Sequence, residues 1–180
     1  VVRSMAVPFS PATLCAGGTA GAWYDPSDLA SMWQDSAGTT AAAVDSPVGK
    51  INDKSGNGNH ATQATASRRP ILRQSGSKYY LEFDGVDDSL GYSVASATAS
   101  TIALAGKIVA QSGAYEAVWT APNQIIYGSL ASTWGTYNGV AISSGDTFIA
   151  NKVIMLRSRA FNDIDFVTNG TIANNTSGTT

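Results

Sequence analysis

The chain alternates short apolar stretches with Gly-, Ser-, Thr- and Asn-rich intervals, and the clearest period-two pattern runs from Tyr79 to Asp84. Tyr80, Glu82 and Asp84 fall on one side of an extended chain and Leu81 and Phe83 on the other, which predicts a half-buried strand. Further strands are predicted over Val48 to Asp53, Thr101 to Val109, Tyr115 to Thr120, Gln124 to Tyr127, Gly139 to Ser143 and Val153 to Phe161. Asp165 to Thr168 then runs into the turn Asn169-Gly170, followed by Thr171-Ile172. Strands recurring at about ten-residue spacing between turn residues are the pattern of an antiparallel sandwich or jelly roll. Helical spacing is confined to one place. Pro26-Ser27-Asp28 precedes Leu29, Met32 and Trp33, which share a helical face, and this predicts one short helix of about two turns capped by Ser27 or Asp28.

Two loops stand out between these elements. Asp53-Lys54-Ser55-Gly56-Asn57-Gly58-Asn59-His60-Ala61-Thr62 leads out of a strand, and Asp84-Gly85-Val86-Asp87-Asp88 follows another. Asn and Asp tolerate left-handed backbone angles and Gly adopts them without steric penalty, so both stretches read as tight, fixed loops.

These loops occur with Trp23-Tyr24-Asp25-Pro26-Ser27-Asp28-Leu29, Trp33-Gln34-Asp35-Ser36-Ala37-Gly38-Thr39-Thr40, Pro47-Val48-Gly49, Arg69-Pro70 and Phe83-Asp84-Gly85. In order and spacing the set resembles the laminin-G-like, concanavalin-A-like jelly-roll domains, with wording similar to members found in bacteriophage and prophage virion proteins. The resemblance covers residues 22 to 90. Beyond Leu90 it rests on strand patterning alone. It implies an all-β, antiparallel two-sheet jelly-roll sandwich in a virion or surface protein, with assembly or glycan-facing roles. Asp53, Gly56, Asn57, Gly58, Asn59, His60, Phe83, Asp84 and Gly85 are then its structural motif. A fold shared by lectins, glycanases and inert modules does not choose among those activities.

The expected organisation is an arm over residues 1–21, rich in Pro, Gly, Ala and Thr, and one jelly-roll domain over 22–180. Met5-Ala6-Val7-Pro8 reads as a natural start. The polar ending Asn174-Asn175-Thr176-Ser177-Gly178-Thr179-Thr180 stops where a jelly roll would add strands. Three explanations stand side by side: a shortened variant, part of a longer product, or a strand supplied by a neighbouring subunit. An open sheet edge is a template for pairing, so a homo-oligomer is expected.

Composition narrows the partners. Charged residues make up 13% of the chain, about half the usual share of roughly 25%. The net charge of -2 gives no electrostatic ground for nucleic acid, and Arg68, Arg69 and Arg73 form the only basic cluster. No apolar run approaches the ~18 residues of a membrane helix. Cys15 is the only cysteine, which excludes an internal disulfide.

Catalytic candidates are few. Glycanases on this fold need paired carboxylates, but the chain has only Glu82 and Glu116 as glutamates, far apart in sequence. Glu82 and Asp84 share a strand face, yet the resemblance makes Asp84 a turn residue. A lone histidine, His60, supports neither a nucleophilic triad nor a zinc site, and reads as closing its loop by hydrogen bonding. The chain therefore reads as non-enzymatic. Asp53, Asp84, Asp87 and Asp88 offer hard oxygen ligands for calcium at a sandwich rim, the one cofactor candidate. Trp119, Trp134, Tyr137 and Asn138 are the glycan-binding candidates, the last three in a Gly-rich stretch that could present an aromatic platform. Trp23, Tyr24 and Trp33 read as core. The function expected is that of a virion structural protein, decorating a capsid or forming part of a fibre or tail appendage. Its partners would be other virion proteins and its own copies, with no nucleic acid and no membrane. The alternative is a carbohydrate-binding module for host glycans.

Overall fold

A computed structural model describes residues 10–93 and 103–106 with their side chains, and the backbone of the strands from 100 to 175. Every pairing among the described strands is antiparallel. Among the described residues, helix is confined to 3-10 segments at Pro11–Gly18, Leu29–Ser31 and Ala66–Arg68, so the class is mostly β. None of these is long or apolar enough to cross a membrane. The chain divides into two compact units, Val1–Ser96 and Ala97–Thr180.

In the first unit β1 (Met32–Trp33), β2 (Lys50–Ile51) and β3 (Ala61–Thr62) form a three-stranded sheet in that order. A hairpin follows, β4 (Ile71–Ser75) with β5 (Lys78–Glu82). The segment before β2 binds the other side of β4: Val48 N–H donates to Pro70 O at 2.8 Å and Leu72 N–H to Ser46 O at 3.0 Å. Met32, Val48, Ile51, Ala61 and Leu72 are buried where these pieces meet, with Tyr24, Ala42, Tyr79, Leu81, Leu90 and Tyr92 packed around them. Each large apolar side chain so buried contributes about 1.5–3 kcal/mol, and with so few of them among the described residues the polar loops bear on the fold as well.

The expected alternation holds along β5, where Tyr79 and Leu81 are half-buried and Lys78, Tyr80 and Glu82 exposed. It fails at Phe83, which is 48% exposed. The strand ends at Glu82 and the chain turns into the Asp84 loop, so parity is lost. The two-turn helix is also corrected. Only Leu29–Ser31 is helical, as a single 3-10 turn, and Met32 is already extended (φ -125, ψ 142) and paired with Ile51. Of the two cap candidates, Asp28 stands at the N-cap position but makes no side-chain hydrogen bond to the turn, and its carboxylate pairs with Lys54 at 2.9 Å. Trp23 and Trp33, expected in the core, are half-buried under lysines. The Lys54 and Lys50 ammonium groups lie 4.7 and 5.2 Å from their ring centroids. Tyr24 does pack on the core.

The second unit holds β6 (Ser100–Gly106), β7 (Tyr115–Ala121), β8 (Gln124–Ser129), β9 (Thr133–Tyr137), β10 (Ala141–Thr147), β11 (Lys152–Ala160), β12 (Asp163–Thr168) and β13 (Thr171–Asn175). They form two four-stranded sheets, ordered β10-β9-β8-β7 and β13-β12-β11-β6. Each expected strand of this half overlaps one of these. β9 is an addition to the expected strands: within the Gly-rich stretch, Trp134 to Tyr137 pair with β8, and Gly135 to Tyr137 also with β10. A glycine between two partner strands weakens a strand without breaking it. The Asn169-Gly170 turn, Asn138, residues 1–9 and residues 176–180 lie outside the described residues.

One close approach gives a test. A Cβ at Gly49 would lie 2.7 Å from Gln34 O and 2.8 Å from the Asp35 backbone, neither of which can swing away. Gly49→Ala is expected to destabilise the first unit by about 1–3 kcal/mol, read as a lower urea midpoint at unchanged slope.

Candidate functional site

Chain direction brings Asp53 out of β2 two residues after buried Ile51, and Asp53 itself is only 7% exposed. A carboxylate withdrawn from water needs donors. Its Oδ1 accepts from the N–H groups of Trp23 (2.9 Å) and Ser55 (2.8 Å), and its Oδ2 from the Ser55 hydroxyl (2.7 Å) and Asn59 N–H (3.0 Å). The backbone between can coil around it because Gly56 and Gly58 take φ of 92° and 75°. Asp53 N–H donates to His60 Nδ1 at 3.1 Å, so His60 closes the loop with Nδ1 as the acceptor nitrogen.

The same loop binds the preceding segment. Asn57 Nδ2 donates to Thr19 O at 2.9 Å and Asn59 Nδ2 to Gly21 O at 2.7 Å. Lys54 N–H donates to Trp23 O at 2.8 Å, and the Lys54 ammonium pairs with Asp25 (3.2 Å) and Asp28 (2.9 Å). The Tyr24 hydroxyl donates to Asn59 O, and its ring meets Tyr92 edge-on at 5.7 Å. Residues 19 to 24 are thus stitched to the loop along their length. Burial pushes the Asp53 carboxyl upward, but the hydrogen bonds from Trp23, Ser55 and Asn59 outweigh it and hold the group below its ordinary value. Burial pushes the Tyr24 phenol up, and the Asp53 carboxylate and Tyr92 add to that.

The second loop uses the same device. Asp84 Oδ1 accepts from the N–H groups of Val86 (2.8 Å), Asp87 (3.2 Å) and Asp88 (3.2 Å), while Asp84 N–H donates to Asp88 Oδ2 at 3.0 Å. Arg68 Nε pairs with Asp87 Oδ2 at 3.1 Å. The Val86 amide leads in drawing the Asp84 carboxyl down, whereas burial, with Asp84 and Asp87 nearby, raises Asp88. Of the four calcium candidates, Asp84, Asp87 and Asp88 come together, with one oxygen of each within 4.8 Å of the others. Asp53 is not in that group: both its oxygens serve its own loop. The turn's amides and Arg68 account for the clustering without a cation.

The paired-carboxylate idea meets a similar outcome. Glu82 binds Arg73 Nε at 2.5 Å, and Arg73 Nη1 binds Asp45 at 2.6 Å, so Glu82 is held as an ion pair beside the Asp84 turn. Arg69 donates to the carbonyls of Gln63 and Ala64, at 3.0 and 2.8 Å. All three residues of the basic cluster are therefore engaged within the chain.

Of the glycan candidates, Trp119 stands in β7 opposite Ile126, Trp134 in β9 opposite Gly128, and Tyr137 in β9 opposite Ile125. Ile126 and Gly128 are two residues apart on β8, which puts the two tryptophans on register rows of the same parity and Tyr137 on a row of the other. The sequence did not point to the hold of Asn57 and Asn59 on residues 19 to 21. The available signal was Asp53-Lys54-Ser55, an Asx-turn spacing that marks a carboxylate folded back onto its own backbone. Compared with protein-family models, curated proteins and solved structures, the chain has no match to any of them.

Asp53→Asn turns one acceptor oxygen into a donor facing N–H groups. It is expected to lower stability by about 2–3 kcal/mol and to expose residues 11 to 23 to limited proteolysis. In the native chain the Asp53 contribution is complete above the carboxyl's ordinary value of 3.8 and is lost as pH falls through its lower folded value. The acid limb of a stability–pH profile should accordingly flatten in Asp53→Asn.

Proposed function

We propose that this chain is a non-enzymatic structural protein of a bacteriophage virion, a laminin-G-like jelly-roll module that decorates a capsid or forms part of a fibre or tail appendage. It works by assembly. The observation that carries this reading is an architecture of antiparallel sheets ending in edge strands, on a chain with only 13% charged residues. An edge strand without charge, as β6 is, favours strand-to-strand contacts. The motif order from residue 22 to 90 supports the virion setting, and within the first unit the loops closed by Asp53 and Asp84 are held by hydrogen bonds of the chain itself. Its partners are other virion proteins and further copies of itself.

A second reading, a carbohydrate-binding module for host glycans, draws on one observation: Trp119 and Trp134 occupy register rows of one parity in the same sheet. Aromatic faces are the usual platform for sugars, since they bind apolar ring faces while leaving hydroxyls to water.

Sedimentation velocity of the purified chain tests the first reading, with concentration-dependent association expected and a monomer at all concentrations overturning it. A glycan array with calcium present tests the second. Binding that disappears in Trp134→Ala would favour the lectin, and an empty array would remove it.

A further inference from the structure

We infer that β6 is the edge through which two copies of this chain join, its outer backbone pairing antiparallel with β6 of the second copy about a two-fold axis. The inference rests on the assembly reading and names the surface it uses. A terminal strand carries a row of unpaired N–H and C=O groups, and proteins guard such rows with charges, prolines, bulges or brevity. Each other sheet edge among the described strands has a guard. β5 carries Lys78 and Glu82, and β4 is bridged by Pro47. β1 and β3 are two residues long. β7 contains Glu116 and a register shift between Ala117 and Trp119; β10 contains Asp146 and a shift between Ser143 and Thr147. β13 pairs across a shift at Phe166/Val167.

β6 has none of these. It reads Ser100-Thr101-Ile102-Ala103-Leu104-Ala105-Gly106, without charge or proline, and pairs with β11 through seven consecutive residues without a shift. A regular inner ladder leaves the outer row equally regular. Ala103 and Ala105 are exposed. These small side chains leave the backbone row open to approach.

The occupant follows from charge. Antiparallel self-pairing centred on Ala103 sets Ser100 against Gly106, Thr101 against Ala105 and Ile102 against Leu104, with no like charges opposed. Self-pairing of β7 or β10 would bury Glu116 or Asp146 of each copy along the joined edge without an opposite charge across from it. A two-fold contact uses one patch on both copies, so a strand with no charge to oppose itself is compatible with a second copy of itself. The product is a continuous sheet of twice the strands.

The test is a charge swap on full-length protein, with circular dichroism confirming retained sheet. Ala103→Lys and Ala103→Glu each place like charges across the dyad and are expected to weaken self-association about tenfold or more. Mixed one to one, they set opposite charges there, and association should return, more strongly at low salt. If both variants associate as the native chain does, β6 is not the interface, while assembly through another edge stands. Loss in both variants without rescue by mixing also overturns direct β6 pairing. A native chain that stays monomeric at all concentrations sinks this inference and the assembly reading together.

Discussion

The fold of the first unit depends on keeping one carboxylate dry. Asp53 leaves β2 beside Ile51, at a depth where an unpaired charge would be prohibitive, and it is held there by donors from three places along the chain. Those donors are backbone groups of Trp23, Ser55 and Asn59, so satisfying Asp53 fixes the approach of residues 19 to 24, the start of the loop and its return toward β3. A small core of Met32, Val48, Ile51, Ala61 and Leu72 supplies the driving force. The carboxylate supplies the geometry, because a buried polar network has few arrangements that leave nothing unpaired.

The Asp84 turn repeats the solution nearer the surface, and other carboxylates of the first unit are used in the same way. Asp35 accepts from the Thr39 and Thr40 amides, Asp84 from three successive amides, and Asp25 from Ser27. Cations follow suit: Lys54 neutralises Asp25 and Asp28, Arg73 neutralises Asp45 and Glu82, and Arg69 binds carbonyls. In the first unit these charges hold loops and strand ends together, while β5, β7, β10, β11 and β12 carry charges of their own and β6 carries none.

Local patterns were legible in the sequence where one residue's neighbours decided its state. Period-two alternation located β5, and the Gly-Asn-Gly-Asn run announced a rigid loop. What the sequence left hidden involves partners far along the chain. The spacing of Leu29, Met32 and Trp33 fits a helical face as well as it fits a turn followed by a strand, and the pairing of Met32 with Ile51, nineteen residues on, decides between them. The same holds for Asn57 and Asn59, whose amides reach Thr19 and Gly21. At Trp134 the composition suggested a loop, while partners on both sides make β9 a strand. Phe83 shows the converse limit: alternation counts residues, and cannot see that the strand has stopped at Glu82.

Topology adds a constraint on the second unit that no single residue shows. β7 to β10 form a meander of neighbours, but β6 must wait for β11, which follows the whole meander, before its inner edge is paired. Non-local pairings of this kind form late, because the intervening loop must close before its contacts repay the entropy. Until then β6 is an uncharged strand open on both sides, the arrangement most prone to premature association. A chain that keeps such a strand free of charge, while placing Glu116 and Asp146 on other edges, tolerates that exposure during folding. The tolerance makes sense if the outer edge of β6 is meant to be covered in the finished assembly, and makes little if it is meant to face water.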